Sequence, residues 1–325
     1  MTQATSNPIR IELPTPFAVG PVNSYLFIEP EPVLIDTGVD TEDSWNALVD
    51  GLKANGLTVA DLKRIVITHG HVDHFGQAYK LLEQSQANVW VADIGADWML
   101  RPRQKFQNRL DYYAEYFLPA TGVTEEMLKV FVNYIALVRD ASTPLPAERV
   151  VQFKVGEMLD LGGLPWEVVH MPGHASHQTC FYQLETKQFI SADMLLPITP
   201  TPIVEFPKDG KMRQPALPVF IDSLAKVEAM TIESVYPGHG DIFHNPNELI
   251  ARQRQRIHMR KDQCFELVQD GVDTAVALLD IMYAKYHPGL RSAGLWMLIG
   301  YLDLLIAEDK VKEELDGKII RYKVK

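Results

Sequence analysis

Three histidines and one aspartate lie within six residues of this chain, in the run from Thr68 to His74 (THGHVDH). Imidazole and carboxylate groups are the ligands that proteins offer to Zn²⁺, Fe²⁺ and Mn²⁺. The spacing is too short for all four groups to reach one ion comfortably. His69 and His71 point the same way in an extended segment, whereas Asp73 and His74 follow a bend. The run therefore predicts two adjacent metal ions.

Three further ligand candidates follow apolar segments that read as strands. His174 follows the Pro-Gly turn at residues 172–173, Asp193 follows the apolar run 189–192, and His239 lies in a Pro-Gly-His-Gly sequence. Side chains at the ends of strands in one rigid sheet system can converge without an ordered loop of their own. We expect these three residues to meet the first run.

Two more residues, Asp36 and His177, are candidates for side chains that contact the metal ligands without binding the metal themselves. Asp36 ends the predicted strand 32–36. It could orient a ligating histidine through that histidine's free N–H, or it could cap a turn. His177 follows His174 by three residues, and we expect it to be a nearby structural group, because His174 comes directly after the turn.

The elements that must position these residues alternate along the first 247 residues. Short apolar runs predict strands, and residues 43–55, 77–84 and 219–230 predict helices. From about residue 95 to residue 147, aromatic and aliphatic side chains recur at helical spacing and indicate a helical insertion. Two interpretations of this insertion remain open: it packs on the core or on a second subunit, or it caps a substrate pocket.

After residue 247 the sequence predicts three helices and then a hairpin around Asp316-Gly317. This order indicates a winged-helix-like arrangement. We predict two domains, residues 1–247 and residues 248–325, and an α+β fold class. The third helix, 290–309, is apolar and carries almost no basic residues, which argues against a nucleic-acid recognition helix.

Composition narrows the class of partner. The chain has 325 residues, of which 46% are hydrophobic and 22% are charged, with a net charge of −11. This charge argues against general binding to nucleic acid or to anionic membranes. We recognise neither a signal peptide nor an apolar run long enough to span a bilayer. We therefore expect a cytoplasmic, soluble protein that acts on a small molecule, with a homodimer as one option.

The ordered set of ligand candidates resembles the metallo-β-lactamase superfamily over residues 10–245. The resemblance implies an αββα sandwich with the site at one edge. It implies that His69, His71 and His174 hold one ion, that Asp73, His74 and His239 hold the other, and that Asp193 bridges them. Relatives commonly read Gly-His-Thr-x-Gly-His around the third of these ligands, whereas this chain has one residue fewer between His174 and His177.

The charge of such a site indicates metal-assisted hydrolysis. Asp73 and Asp193 would neutralise two of the four positive charges of two divalent ions, which favours a bridging hydroxide at neutral pH. A docked carbonyl would be polarised, and Asp73 could hold or shuttle the proton. We expect zinc, with iron or manganese as alternatives.

The motif at residues 20–26 and the site together resemble the glyoxalase II-like and lactonase-like branch, which implies an ester, thioester or lactone substrate. The C-terminal module resembles that of lactamase-β-like protein 2, some of whose relatives cut RNA, so an endoribonuclease or phosphodiesterase is an alternative. A mono-iron persulfide dioxygenase, which shares the first motif, is another. Metal content would separate the dioxygenase from the hydrolase.

Overall fold

Two six-stranded β-sheets lie face to face in the computed structural model, which describes residues 7–198, 202–204, 213–286 and 291–325, without the side chain of Ser292. In spatial order, the first sheet consists of β1 (Ile9–Leu13), β2 (Val22–Phe27), β3 (Val33–Ile35), β4 (Arg64–Ile67), β5 (Asn88–Ala92) and β6 (Val150–Phe153). The second consists of β7 (Met158–Leu161), β8 (Leu164–His170), β9 (Thr179–Gln183), β10 (Gln188–Ala192), β11 (Ser234–Pro237) and β12 (Phe243–His244), with β7 and β12 at its edges. Strands β3 to β6 are parallel neighbours, as are β10 and β11.

Central strands such as β3, β9 and β10 are buried on both faces because their sheets are covered on both sides there. In β3, Val33 and Ile35 point into the layer between the sheets, whereas Leu34 points to the helices outside the first sheet. This alternation is the two-residue period of a strand. Trp166 of the second sheet fills the layer and meets Phe27 of the first sheet edge to face, with ring centroids 5.8 Å apart.

Helices cover the outer faces. Against the first sheet pack α1 (Glu42–Ala54), the single-turn α2 (Val72–Phe75) and α3 (Ala78–Gln84). Against the second sheet packs α8 (Ala216–Glu228), followed in the chain by α9 (Asn247–Gln269). Helix α1 begins where the Thr41 side chain accepts a hydrogen bond from the backbone N–H of Ser44. The arrangement is the predicted αββα sandwich.

The segment between β5 and β6 is helical, as the sequence predicts. It contains α4 (Ala96–Leu100), α5 (Pro102–Tyr112), a π-helical turn (Tyr113–Phe117), α6 (Leu118–Thr121) and α7 (Glu125–Ala141). Tyr113 and Phe117 are buried, and their rings lie 5.1 and 5.4 Å from that of Trp296 near the C-terminus. This part of the insertion therefore packs on the protein's own core.

The C-terminal part consists of α10 (Ala275–Met282), α11 (Arg291–Ala307), β13 (Val311–Asp316) and β14 (Ile319–Val324) after α9. Leu298, Leu302 and Leu305 of α11 are fully buried in one cluster with Leu217 and Phe220 of α8. The apolar helix thus belongs to the core that covers the second sheet. The domain boundary at residue 247 and the winged-helix-like assignment stay predictions. Within the described residues, no helix is both long and apolar enough to traverse a bilayer.

Some element bounds differ from the sequence-based ones. The sequence predicts the second C-terminal helix over residues 274–286, but α10 ends at Met282. Residue 290, the predicted start of α11, lies outside the described residues, as does part of residues 197–202, where the alternating prolines predict a loop. The edge strands β1 and β12 were not predicted, because β1 precedes a proline-rich loop and β12 has two residues.

Candidate metal centre

The predicted ligands meet where strands of both sheets end. Strand β4 stops at Ile67, and the chain passes through Thr68–His71 into α2, which carries Asp73 and His74. His174 follows β8, Asp193 follows β10 and His239 follows β11. Their ligand atoms form three overlapping groups, and within each group these atoms lie within 4.8 Å of one another. Each group contains three residues: His69, His71 and His174; His69, His74 and Asp193; Asp73, His74 and His239.

The first group is made of three imidazoles whose nitrogens point at one another. His71 Nδ1 lies 3.1 Å from His69 Nε2 and 2.8 Å from His174 Nε2. Burial lowers the pKa of all three imidazoles, and the neighbouring imidazoles lower those of His69 and His71 further. These histidines are therefore held neutral, which is the form that binds a metal ion.

The third group combines two imidazoles with a carboxylate. Asp73 Oδ2 lies 3.4 Å from His239 Nε2. Burial disfavours a charge on His74 and His239, but nearby carboxylates outweigh burial and raise the pKa of both, and Asp193 is the largest contributor in each case. Negative charge therefore accumulates at this end of the site and favours cations there.

Asp193 belongs to the middle group and lies between the first group and the third. Its Oδ2 is 3.3 Å from His174 Nε2 and 3.6 Å from His239 Nε2, and its Oδ1 is 3.4 Å from His74 Nε2. Burial would raise the pKa of the Asp193 carboxyl, but the imidazoles of these three histidines hold it well below its usual range. Asp193 is thus an anion that contacts members of the first group and of the third.

Three atoms of the centre show that a cation fits it. His74 Nε2, His239 Nε2 and Asp193 Oδ1 are buried, and none of them has a hydrogen-bond partner among the described residues. The contacts of about 3.4–3.6 Å between these groups are ion-pair approaches without hydrogen-bond geometry. A buried polar atom without a partner is costly and calls for a water molecule or an ion. Imidazole and carboxylate donors match zinc, and also iron or manganese.

Asp36 fixes the orientation of His74. Its Oδ2 lies 2.7 Å from His74 Nδ1, and because a carboxylate only accepts, His74 Nδ1–H donates to it. This leaves His74 Nε2 directed into the centre. Asp36 also accepts from the backbone N–H of Thr68 at 2.9 Å and from the Thr68 hydroxyl at 2.8 Å. The same hydroxyl lies 3.0 Å from His69 Nδ1, so one carboxylate orients two histidines.

His177 lies beside the ligand loop and outside the three ligand groups. Its Nε2 accepts the backbone N–H of Gly70, between His69 and His71, at 2.8 Å. Its ring stacks on Trp98 of α4, with centroids 4.9 Å apart and planes 15° apart. A Cβ on Gly70 would lie 2.6 Å from Trp98 Cβ, so only glycine fits there. His177 and Trp98 thereby attach the helical insertion to the ligand loop.

Sequence reasoning missed residues whose roles depend on distant contacts. Asn23 Nδ2 donates to the carbonyls of Pro237 and Gly240 at 2.9 and 2.7 Å, which fixes the loop that carries His239. A Cβ on Gly238 would lie 2.1 Å from Asp193 Oδ1, so the loop passes close to that carboxylate only with glycine. The glycines flanking His239 were a sequence signal for this approach. Asn23 lies in the motif at residues 20–26, but nothing in that motif indicated its contact with the His239 loop, and Trp98 had no sequence signal.

Comparisons with known proteins agree with this geometry. The model of the metallo-beta-lactamase superfamily matches residues 18–239. The probable metallo-hydrolase YqjP of Bacillus subtilis (strain 168) is 27% identical over 324 residues, covering 98% of each chain. An atrochrysone carboxyl ACP thioesterase of Aspergillus fumigatus is 21% identical over 247 residues, covering 69% of this chain and 73% of its own. The crystal structure of the metallo-beta-lactamase family protein TTHA1429 from Thermus thermophilus has a TM-score of 0.80 at 22% identity, covering 98% of each chain, and shows a shared fold.

Proposed function

The chain belongs to the metallo-beta-lactamase superfamily and is a metallo-hydrolase, and we propose that it uses a dinuclear metal centre to cleave an ester, a thioester or a lactone. The observation that carries the dinuclear proposal is the arrangement of Asp193, whose carboxylate contacts imidazoles of both outer ligand groups. A single ion would leave buried polar atoms of one group without a partner, which is unfavourable.

In this proposal His69, His71 and His174 would hold one ion, Asp73, His74 and His239 would hold the other, and Asp193 would contact both. The ions, when bound, would polarise the scissile carbonyl and make a water molecule nucleophilic at neutral pH. We propose zinc because the donors are imidazoles and carboxylates and the reaction needs no change of redox state.

The protein's own groups would then orient the centre and move the proton. Asp36 and Thr68 hold His74 and His69 through the nitrogen atoms that face away from the centre. The carbonyl of Pro21, 2.8 Å from His239 Nδ1, does the same for His239. Asp73 retains slight exposure at the edge of the centre. Its carboxylate is the group that we propose takes the proton from the attacking water and passes it to the leaving group.

The packing of the C-terminal part supports an acyl substrate over a nucleic acid. The apolar residues of α11 are buried and do not form a nucleic-acid-binding face. Two arginines of α9 are engaged within the protein: Arg254 lies 3.2 Å from a Glu228 oxygen, and Arg260 donates to the carbonyl of Met282. The distant relationship to a carboxyl ACP thioesterase also favours a thioester or a related acyl substrate.

The test is metal analysis combined with a substrate panel. We expect the purified protein, loaded with zinc, to hold about two ions per chain and to hydrolyse at least one of a thioester, a lactone and an aryl ester. Hydrolysis confined to bis(p-nitrophenyl) phosphate would instead support the phosphodiesterase. One iron per chain, with oxygen consumption on a persulfide, would support the dioxygenase and reject our proposal.

A further inference from the structure

An apolar groove lies beside the metal centre, between α2 and the last turns of α7. Its volume is about 240 Å³. Val72, Phe75 and Gly76 form the wall on the side of α2. The opposite wall is formed by four residues of α7: Tyr134, Leu137, Val138 and Ala141. Among the residues that line the groove, only Asp40 is charged, so its surface suits an uncharged hydrocarbon.

The groove is continuous with the segment that carries the ligands. Val72 and Phe75 belong to the same single helical turn as Asp73 and His74, so a molecule in the groove lies against the turn that carries two of the ligand candidates.

The side of α7 that lines the groove is apolar and exposed to solvent. Leu137 is 70% exposed, and Tyr134, one turn earlier, is 49% exposed. An exposed apolar strip beside a chemical site is typical of a ligand-binding surface. A cavity of about 150 Å³ lined by apolar side chains is large enough for benzene, so this groove has room for a chain of several methylene groups.

We propose that this groove binds the acyl chain of the substrate and that the preferred substrates are esters or thioesters of uncharged, medium-length acyl groups. The proposal rests on the hydrolase function proposed above. An uncharged acyl chain suits this groove because a charged chain would lose its hydration among apolar side chains, and because the groove adjoins the turn that bears Asp73. A second copy of the chain would be expected to cover Val130 as well, which is 66% exposed on α7 and does not line the groove.

The experiment compares p-nitrophenyl acetate, butyrate, hexanoate and octanoate with the metal-loaded enzyme. We expect kcat/KM to rise about twofold to fourfold per added methylene, as burial of a methylene predicts. Leu137→Glu should lower the octanoate-to-acetate ratio of kcat/KM at least tenfold. Val130→Glu is the matched control, because it adds the same charge to a similarly exposed position of the same helix, and it should keep the wild-type ratio. Glutamate is a good helix former, so both variants should fold.

A second measurement does not depend on catalysis. Calorimetric titration with octanamide should detect binding to the wild type and to Val130→Glu, and binding at least fivefold weaker to Leu137→Glu. Equal octanamide binding and an equal chain-length ratio in Leu137→Glu would overturn the acyl site. Light scattering tests the alternative occupant, a second copy of the chain. If both variants lose an oligomer that the wild type forms, while the octanoate-to-acetate ratio of kcat/KM stays unchanged, the groove is a subunit interface and the acyl site is overturned.

The two proposals fail in different ways. If the wild type hydrolyses no ester but binds octanamide in a manner sensitive to Leu137→Glu, the groove stands and the proposed hydrolysis of acyl esters fails. If it hydrolyses every ester at the same rate and binds no octanamide, the acyl groove fails and the hydrolase stands.

Discussion

Replacing Asp36 with asparagine tests whether this buried carboxylate orients the metal ligands. Asparagine has nearly the same shape, and it tolerates the left-handed backbone at this position, where φ is 57°. The substitution therefore changes the hydrogen bonding and leaves the backbone without new strain. The carboxylate offers acceptors on both sides: Oδ1 to the backbone N–H of Thr68, and Oδ2 to the Thr68 hydroxyl and to His74 Nδ1–H.

Asparagine offers an acceptor on one side only. If its oxygen faces Thr68 N–H, its NH₂ group points at His74 Nδ1–H, and His74 must move its proton to Nε2, the atom that faces the centre. If the amide turns over, its NH₂ group opposes the Thr68 N–H. A buried donor left without an acceptor costs about 1–3 kcal/mol. Loss of a group that orients a ligand lowers metal affinity about 10- to 100-fold, which corresponds to about 1.4–2.7 kcal/mol.

The assay is competition for zinc with a chelator of known affinity, together with urea unfolding of the metal-free protein. We expect Asp36→Asn to bind zinc about 10- to 100-fold more weakly and to unfold with a free energy lower by about 1–3 kcal/mol. Asp50→Asn, at an exposed position of α1, is the control and should change neither value. Wild-type zinc affinity in a folded Asp36→Asn protein would refute the orienting role of Asp36.

Three further predictions concern other parts of the molecule. Asp193→Ala removes the carboxylate that contacts both ligand groups, and kcat/KM should fall about a thousandfold while the circular dichroism spectrum stays native; undiminished turnover would reject the site. His177→Ala leaves the backbone N–H of Gly70 without its acceptor, so it should lower the free energy of unfolding by about 1–3 kcal/mol and weaken zinc retention. His258→Ala, at an exposed position of α9, is the control and should change neither value. Leu298→Ala opens a cavity in the fully buried cluster of α11 and should lower the free energy of unfolding by about 2–5 kcal/mol in a single transition; a separate transition for the C-terminal part would contradict the continuous core.

The sequence alone was enough to predict the ligand candidates and the fold class. Four metal-competent side chains within six residues are a local pattern, and the apolar run before them predicts the strand that holds them. The repeated placement of His174, Asp193 and His239 after apolar runs predicts their convergence, because strand ends share the edge of a sheet. Helical spacing likewise predicts the insertion between β5 and β6. The strands and the helical insertion depend on neighbours within a few residues, which is why a local pattern predicts them; the αββα fold class was implied by the resemblance of the ordered ligand set to a known superfamily, and the metal-binding roles of the individual residues stay predictions.

The tertiary structure alone decided which atoms act together. Asn23 and the carbonyl of Pro237 are 214 positions apart in the chain, yet their hydrogen bond fixes the loop of the last ligand. The contact of His177 with the Gly70 N–H and the groove between α2 and α7 are also absent from any local pattern. Such contacts depend on how whole sheets and helices pack, and packing is set by the combined burial of many side chains that are distant in sequence.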